Sequence, residues 1–411
     1  MRIAFFSETF LPVHDGVGYV VDDLGRELQR QGHQVTLYTT RRPGQSREET
    51  RPGGMRVVRL RSVPMPRYAL YRFAIFPYLR VFSRRLAHET DLIHVHTPFA
   101  LGTTGLLAAR RHHIPMIGTY HTDFRGMQAS FHQDLWTRIF FPLGGFYSEG
   151  IYFRCDVTTA PTPEALSTLK SRFTKPPPGE LVVVPNGVDT ERFCPEARSP
   201  DWAARLGAKG KPLVTYLGRL TADKGVHRFL SALADLPADL PFLGVVGGSG
   251  VEEAAVDRRI QEDERLRGRV VAVGSVKDEE KPALLAQSRV FVLPSLADTS
   301  SVSTLEAMAS GCACVVTDRG GPRQLVVDGR NALVVDPTAP SVIRVAVERL
   351  LRDPALAEGL GRAAREHVRA EGSTAHMALQ FLEIYRRCLA KSGRVKGAPM
   401  DSSRARTVAP S

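Results

Sequence analysis

The sequence predicts an α/β protein with two parallel sheets, one in each half of the chain. Short apolar runs typical of buried strands alternate with helix-length segments from Met1, and a second such series begins at Leu213. A proline-rich, charged stretch that ends near Lys211 separates the two series and predicts a linker. With 411 residues, of which 43% are apolar and 24% charged, the chain is long enough for two cores.

Cysteine usage and hydropathy predict the compartment. The sequence has no run of about 18 apolar residues, and its first residues, Met1 to Ser7, resemble a strand rather than a signal peptide. The five cysteines are odd in number and scattered, which favours a reducing, cytoplasmic compartment. Cys312 and Cys314 alternate on a predicted strand and fit small core residues better than a metal site.

The first half opens with a βαβ unit. A strand from Met1 to Ser7 precedes a glycine-containing loop, a helix that ends near Gly32 and a strand from Gln34 to Tyr38. The pair Gly16 and Gly18 lacks the third glycine and the ribose acid of the dinucleotide fingerprint. Gly16 therefore indicates either a close approach of the backbone to a ligand or merely a turn.

Two later strands, which begin at Asp91 and Ile114, each end in histidine. Ligands of an open parallel sheet lie beyond the carboxyl ends of its strands, which places His96 and His121 at the mouth of a cleft. A histidine at a strand end is more often structural than catalytic. A zinc site formed by His94, His96 and His121 would need a fourth ligand, so we predict no metal site.

Two basic residues follow the first strand of the second half. Arg219 and Lys224 are five positions apart in one loop, an arrangement that can direct both cations at one diphosphate. The alternative is that they are surface cations. Further strands are predicted near Leu243–Val246, Val270–Val273, Val290–Leu293, 312–317 and 332–335.

The stretch from Val290 to Gly311 carries the strongest ligand signal. A strand closed by Pro294, a hydroxyl-rich loop and a helix stopped at Gly311 form a natural phosphate cradle, because the first amides of a helix lack intrahelical partners. Asp298 in the loop and Glu306 on the helix, eight positions apart, can flank one ligand. Alternatively, Ser300, Ser301 and Ser303 only cap the helix.

Charge is concentrated in the first half of the chain. The net charge is +12, and the stretch from Arg51 to His88 contains nine arginines, several aromatic residues and no acid. This composition predicts binding to an anionic membrane surface. The segment from Phe124 to Tyr147 is a candidate companion patch. The alternatives are core aromatics under a basic surface, or nucleic-acid binding, for which the sequence has no recognisable module.

Four motifs, in this order along the chain, carry a family resemblance. They are the sequence Tyr-His-Thr-Asp around His121, Pro-Asn-Gly-Val-Asp around Asn186, Gly-Arg-Leu…Asp-Lys-Gly around Arg219 and Lys224, and the two acids Asp298 and Glu306. Together they resemble the retaining GT-B glycosyltransferases of glycosyltransferase family 4, over nearly the whole chain to about residue 390. The resemblance implies two facing Rossmann-like domains with an interdomain cleft. It also implies an N-terminal acceptor domain (1–190, plus a helix at about 372–390) and a C-terminal donor domain (200–370). Residues 391–411 are rich in Gly, Ser, Pro and Ala, with five basic residues against one acid, and this composition predicts a disordered tail.

The resemblance also implies roles for individual residues. The expected catalytic residues are His121, Asp298 and Glu306, with Glu306 binding the nucleotide ribose and the other two contacting the sugar. The expected donor-binding residues are Gly16, Arg219, Lys224, Gly248, Val276, Thr304, Leu305 and Glu306. The first acid of the family is usually Glu followed by Gly-Phe-Gly, whereas here Asp298 is followed by Thr-Ser-Ser-Val.

The expected function is transfer of a hexose from a nucleotide-diphosphate sugar, of the UDP-glucose type or GDP-mannose, to a saccharide or lipid acceptor, with a membrane lipid favoured. We expect no cofactor and no metal, and a peripheral position at the inner face of the cell membrane. Two alternatives remain. A GT-B nucleotide-sugar epimerase would isomerise the donor without an acceptor, and a non-catalytic binding protein would bind the donor without turning it over.

Overall fold

The computed structural model describes residues 1–13, 16–65, 68–75, 84, 86–125, 135–296, 298 and 300–393. These residues form an α/β protein with two parallel sheets in two domains, as predicted. The strands of the first domain are β1 (Arg2–Phe6), β2 (Gln34–Thr40), β3 (Glu48–Thr50), β4 (Arg56–Leu60), β5 (Ser62–Met65), β6 (Tyr68–Ala74), β7 (Leu92–Val95), β8 (Met116–Thr119), β9 (Val157–Ala160) and β10 (Glu180–Val183). Its helices are α1 (Gly16–Arg30), α2 (Ala100–His112), α3 (Leu135–Tyr152) and α4 (Pro163–Arg172).

The second domain repeats this alternation of strands and helices. Its strands are β11 (Leu213–Leu217), β12 (Leu243–Gly247), β13 (Val270–Gly274), β14 (Ser288–Leu293), β15 (Ala313–Thr317) and β16 (Leu333–Val335). Its helices are α5 (Pro200–Arg205), α6 (Val226–Ala234), α7 (Glu253–Glu262), α8 (Lys281–Gln287), α9 (Val302–Ala309), α10 (Gly320–Gln324), α11 (Pro340–Arg352) and α12 (Pro354–Glu371). The last helix of the described chain is α13 (Thr374–Lys391).

The order of the strands creates a crevice at one edge of each sheet. The first sheet has the order β10-β9-β8-β7-β1-β2-β4-β3 and is parallel except for β3. The second has the order β13-β12-β11-β14-β15-β16 with parallel neighbours throughout. In each sheet the strand order reverses beside the first strand of its series, β1 and β11, and the crevice at such a reversal is where α/β proteins bind ligands.

Helix α13 packs on the first domain rather than on the second, which precedes it in sequence. Met377, Phe381 and Tyr385 are buried in one core with residues of β1 and α1. Gly187, in the segment between the domains, passes so close to α13 that an added Cβ would lie 2.6 Å from the carbonyl oxygen of Ser373. The chain therefore crosses between the domains twice at one place. The domain limits 1–190 and 200–370 stay a prediction.

The basic stretch from Arg51 to His88 differs from its prediction. It forms β4, which pairs with β2 inside the sheet, and the antiparallel hairpin of β5 and β6. Three of its arginines have counter-ions within the protein and so do not need an anionic surface to compensate their charge, because acids outside the stretch pair with them. These pairs are Arg51 with Asp22 (3.2 Å), Arg56 with Glu48 (2.8 Å) and the buried Arg59 with Glu49 (2.7 Å).

Other parts of these predictions fall outside the described residues. They are Arg67, Phe76, Tyr78, Arg80, Phe82 and Arg85 of the basic stretch, and residues 394–411 of the predicted tail. Within the described part of the chain, none of the helices is both long and apolar enough to cross a bilayer. The five cysteines are free thiols, and four of them, including Cys312 and Cys314, are buried as predicted for core residues.

Two glycines of α12 give a matched test of how this domain packs. A Cβ at Gly361 would lie 2.1 Å from the carbonyl oxygen of Gly311, which ends α9, whereas a Cβ at Gly359 would meet nothing within 4 Å. We expect Gly361→Ala to lower the free energy of unfolding by about 1–3 kcal/mol through overpacking. Gly359→Ala should raise it by up to about 1 kcal/mol through helix propensity. Urea denaturation measures both, and equal effects of the two substitutions would contradict the packing described for α9 and α12.

Candidate functional site

Helix α9 is held at both ends as the sequence indicates. The hydroxyl of Ser301 accepts a hydrogen bond from the amide of Thr304 at 3.3 Å, which makes Ser301 the N-cap. At the other end, Gly311 has a φ of 79° and donates its N–H to the carbonyl oxygen of Met308, while Cys312 donates to Ala307. This is the Schellman arrangement expected for a glycine that follows a helix.

The loop before α9 is joined to the loop after β11 by an ion pair. The Lys224 ammonium nitrogen lies 2.8 Å from a carboxylate oxygen of Asp298, and only 11% and 12% of the two side chains are exposed. Gly225 makes this approach possible, since a Cβ there would lie 2.1 Å from the carbonyl oxygen of Pro294. The amide of Leu296 also donates to the carbonyl of Asp223 at 2.7 Å. The two loops therefore form one surface at the carboxyl edge of the sheet.

Arg219 belongs to the same loop as Lys224 but has a different environment. Its side chain is 39% exposed, and its guanidinium lies 3.8 Å from a carboxylate oxygen of Asp223. Its carbonyl accepts a hydrogen bond from the buried Tyr216 hydroxyl at 2.8 Å, which fixes the backbone of the loop. Lys224 is thus a largely buried cation in a close ion pair, whereas Arg219 is more exposed and its ion pair is longer.

Gly248 and Val276 also follow strands at this edge, but internal packing explains both. A Cβ at Gly248 would lie 1.8 Å from the carbonyl oxygen of Gly218, and the φ of Gly248 is +143°. The need for glycine therefore comes from a neighbouring loop rather than from a ligand. The side chain of Val276 is buried in the domain core, so its backbone, not its side chain, is available to a nucleotide base.

Thr304 and Leu305 were expected to bind the donor, through the amides at the start of α9, but these two amides already have partners. The Thr304 amide donates to the Ser301 cap, and the Leu305 amide donates to the carbonyl of Ser301 at 3.1 Å. Both amides are engaged within the helix. A phosphate at this terminus would instead meet the amides of Val302 and Ser303, which precede them in the first turn of α9.

Glu306 lies in the middle of α9 and is buried, with 4% of the residue exposed. Burial raises the pKa of its carboxyl group, and the ammonium group of Lys281 acts in the opposite direction. The ammonium nitrogen of Lys281 and the Oε1 atom of Glu306 are 3.8 Å apart. Glu306 is thus on the same helix as predicted, but Asp298 and Glu306 are each paired with a different lysine.

In the first domain, His121 is held by a second histidine. The Nε2 atom of His121 lies 3.1 Å from Nδ1 of His96, and the two rings are stacked. Burial lowers the pKa of His121 to about 4, so its ring is neutral at neutral pH. Both ring nitrogens of His94 are hydrogen-bonded, to the hydroxyls of Tyr385 and Thr119. These bonds leave His94 no lone pair for zinc. Among the described residues, no cluster of three or more histidine, cysteine or acidic side chains could hold a metal ion.

Two side chains at the cleft, Glu8 and Asn186, were given no site role from the sequence. Glu8 follows β1, and its buried carboxylate accepts hydrogen bonds from the Thr97 hydroxyl and the Leu101 amide. Burial raises the pKa of Glu8 to about 7. Glu8 lies just beyond the carboxyl end of β1, as His96 and His121 lie beyond the ends of their strands, so its position in the sequence could have identified it. Asn186 donates from the interdomain segment to the Ser300 hydroxyl at 3.0 Å, a contact between residues 114 positions apart that no local pattern signals.

The carboxyl edges of the two sheets face each other. The first residues of α1 and α9 meet, since a Cβ at Gly16 would lie 3.7 Å from a methyl carbon of Val302. That is an ordinary van der Waals distance, so a side chain at position 16 would fit and this contact does not require glycine. The side chains of Glu164 in α4 and Gln324 in α10 are also hydrogen-bonded across the domains. These contacts bring the loops of His121, Lys224 and Asp298 to one cleft.

An apolar groove of about 560 Å³ opens beside the His121 loop. Phe124, three residues after His121, packs against Phe99 and Phe140 at ring-centroid distances of 4.9 and 5.7 Å. Helix α3 continues the groove onto the surface with exposed apolar side chains. The groove residues are Phe73, Ala74, Phe99, Ala100, Trp136, Ile139, Phe140, Leu143, Gly144 and Tyr147.

Family models match both domains. The Glycosyltransferase Family 4 model matches residues 14–192, and the model for Glycosyl transferases group 1 matches residues 199–367. A GDP-mannose-dependent alpha-mannosyltransferase of Mycobacterium tuberculosis is 29% identical over 82% of this chain and 84% of its own length. An alpha-monoglucosyldiacylglycerol synthase of Acholeplasma laidlawii is 25% identical over 81% of this chain and 84% of its own length.

A solved structure has the same fold. The sucrose-phosphate synthase of Thermosynechococcus elongatus superposes with a TM-score of 0.79 and 24% identity, over 95% of this chain and 99% of that one. The two family matches cover the first and second domains in turn. The chain therefore belongs to the family 4 glycosyltransferases and has the GT-B fold.

Proposed function

We propose that this chain is a retaining, metal-independent glycosyltransferase that moves a hexose from a UDP- or GDP-linked sugar to a membrane lipid. The observation that carries the proposal is the ion pair of Lys224 with Asp298, followed along the chain by the buried Glu306 with its own partner Lys281, opposite a domain that bears an apolar groove. Relatives that use GDP-mannose or are named for glucosyldiacylglycerol support the donor and acceptor classes.

The donor diphosphate would bind between the two cations and the start of α9. Lys224 is already fixed beside the sugar site by Asp298, and the exposed Arg219 can turn toward the phosphates. Two cations and the positive end of a helix would stabilise the departing diphosphate in place of a metal ion. Glu306, deeper in the cleft, would accept hydrogen bonds from the ribose hydroxyls.

The sugar would lie between Asp298 and His121. Because His121 is neutral at neutral pH, it would act as a hydrogen-bond partner of a sugar hydroxyl or of the acceptor rather than as a positive charge. Asp298 would accept from a second sugar hydroxyl while it keeps Lys224 in position. Its carboxylate is one methylene shorter than the usual glutamate of the family, and the ion pair with Lys224 gives that shorter side chain a defined place.

The lipid acceptor would enter from the α3 side. Exposed apolar side chains along this helix include Leu135, Leu143 and Phe146, which are 74, 64 and 73% exposed. Such a helix can enter the headgroup boundary of a bilayer, and the adjacent groove can receive part of the acceptor's apolar chain. The groove leads to Phe124 and thus to the loop of His121, so the lipid headgroup would reach the sugar. The aromatic patch predicted between Phe124 and Tyr147 is therefore the better membrane candidate, ahead of the partly paired arginines.

A first set of variants tests the donor site. Arg219→Ala and Glu306→Gln should each weaken UDP or GDP binding by about 1.5–3 kcal/mol, the range for hydrogen bonds to charged groups. Asp298→Asn should leave nucleotide affinity unchanged or slightly increased, because it releases Lys224 to the diphosphate, while it lowers kcat. Calorimetry and initial rates measure these effects. Lys211→Ala, at the opposite end of β11, is the control and should change neither. Equal loss of nucleotide affinity in Asp298→Asn and Glu306→Gln would show that the two roles are misassigned.

A second set tests the lipid surface. Leu143→Asp and Phe146→Asp should each reduce binding to lipid vesicles at least tenfold, since each removes about 1.5–3 kcal/mol of apolar burial. Binding should rise with the fraction of anionic lipid and fall with salt, with a salt-resistant remainder from α3. Leu379→Asp, on α13, is the matched control because this leucine is also exposed, at 59%. If neither α3 variant changes vesicle sedimentation while the enzyme glycosylates a water-soluble acceptor, the lipid proposal fails.

A further inference from the structure

Lys281 occupies an unusual position at the boundary of the two domains. It is the first residue of α8, yet its side chain is only 11% exposed. Its ammonium nitrogen lies 3.8 Å from a carboxylate oxygen of Glu306 and 3.4 Å from one of Asp278. The same nitrogen lies 3.8 Å from the ring centroid of Tyr19, which belongs to α1 of the other domain. Nothing in the donor-site roles assigned above uses this lysine.

The charges around Glu306 make Lys281 its direct counter-ion. Asp278 has a second partner, because the Arg192 guanidinium lies 2.6 Å from its other carboxylate oxygen. Arg365, from α12, donates to the carbonyl of Ala309 at the end of α9 and not to the carboxylate. The charge of Arg192 also lowers the pKa of Glu306, but less than Lys281 does, and the charge of Asp278 raises it. Within the described part of the chain, Lys281 is the cation whose side chain lies within 4 Å of the Glu306 carboxylate.

We propose that Lys281 is a positioning residue for nucleotide binding, which holds the Glu306 carboxylate charged and in place for the ribose hydroxyls. This inference rests on the proposed role of Glu306. The distance of 3.8 Å is longer than a hydrogen bond, so the lone pairs of the carboxylate stay available to the ribose. The lysine supplies charge compensation without occupying the site.

The physical reason is the burial of Glu306. An ionised carboxylate inside a protein is stable only when it is paired, and otherwise it takes up a proton. A protonated Glu306 would accept weaker hydrogen bonds from ribose, because charge-assisted bonds are about twice as strong as neutral ones. Tyr19 adds a contribution from the first domain, since its ring face attracts the ammonium group. The state of the ribose site therefore depends on contact between the domains.

The test compares Lys281→Met, which keeps the length of the side chain but removes its charge, with Lys281→Arg, which keeps the charge. The dissociation constants of UDP and GDP are measured by calorimetry from about pH 6 to about pH 9, and each is divided by the wild-type value to remove the titration of the nucleotide phosphate. The dissociation constant of Lys281→Met, divided by that of wild type, should be about ten or more near pH 6. This ratio should fall toward one as the pH rises and Glu306 ionises. Near pH 6 it should equal the ratio for Glu306→Gln. Lys281→Arg should stay within about threefold of wild type.

The control is Lys277→Met, which removes an exposed positive charge four positions earlier and should show no pH-dependent loss. Thermal unfolding verifies that each variant is folded. A Lys281→Met ratio near one at every pH, or a loss that does not change with pH, would overturn the inference. Unchanged nucleotide affinity in Glu306→Gln would instead overturn the proposed role of Glu306. If Glu306→Gln loses affinity and Lys281→Met does not, only the role of Lys281 is rejected.

Discussion

The ion pair between Lys224 and Asp298 is the interaction on which the proposed donor site depends. It joins the loop after β11 to the loop before α9, and it places a fixed cation beside an acid where both are largely removed from water. Removing one partner from such a pair leaves an uncompensated charge, so both loops are constrained to the same arrangement. Gly225 and the bond from Leu296 to Asp223 bring the backbones close enough for the pair to form. The proposed diphosphate site and the proposed sugar site are thus one structural unit.

A second pair organises the deeper part of the cleft. Lys281 compensates Glu306 and contacts Tyr19 of the opposite domain, while Asn186 of the interdomain segment reaches Ser300 in the loop before α9. Both contacts connect donor-binding elements to the other side of the molecule. A nucleotide that changes the distance between the domains would change these contacts as well. On this account, domain closure and the charge state of the ribose site are coupled.

Local sequence patterns predicted the strands and helices that are determined by residues close together in the sequence. The second-half strands near Leu243 and Val290, the helix from Val302 and its terminal Gly311 follow from hydrophobic runs and from the conformational freedom of glycine. The strand β4 and the β5–β6 hairpin were missed, because the acids that pair with the arginines of β4, Glu48 and Glu49, lie on the neighbouring strand β3 and outside the basic stretch. Contacts of Lys281 and Asn186 were missed because they join residues brought together by the fold, and no spacing along the chain signals them.

The proposed enzyme unites a donor site in one domain with an apolar groove in the other, and the most direct measurement follows sugar between them. The protein is incubated with radiolabelled UDP-hexoses and GDP-mannose, together with vesicles of a total lipid extract, and the anomeric configuration of the product is determined by NMR. We predict label in the lipid phase, from one donor class, with the α configuration of the donor retained. Label found only in a water-soluble product, an inverted anomer, or an isomerised nucleotide sugar without transfer would contradict the account.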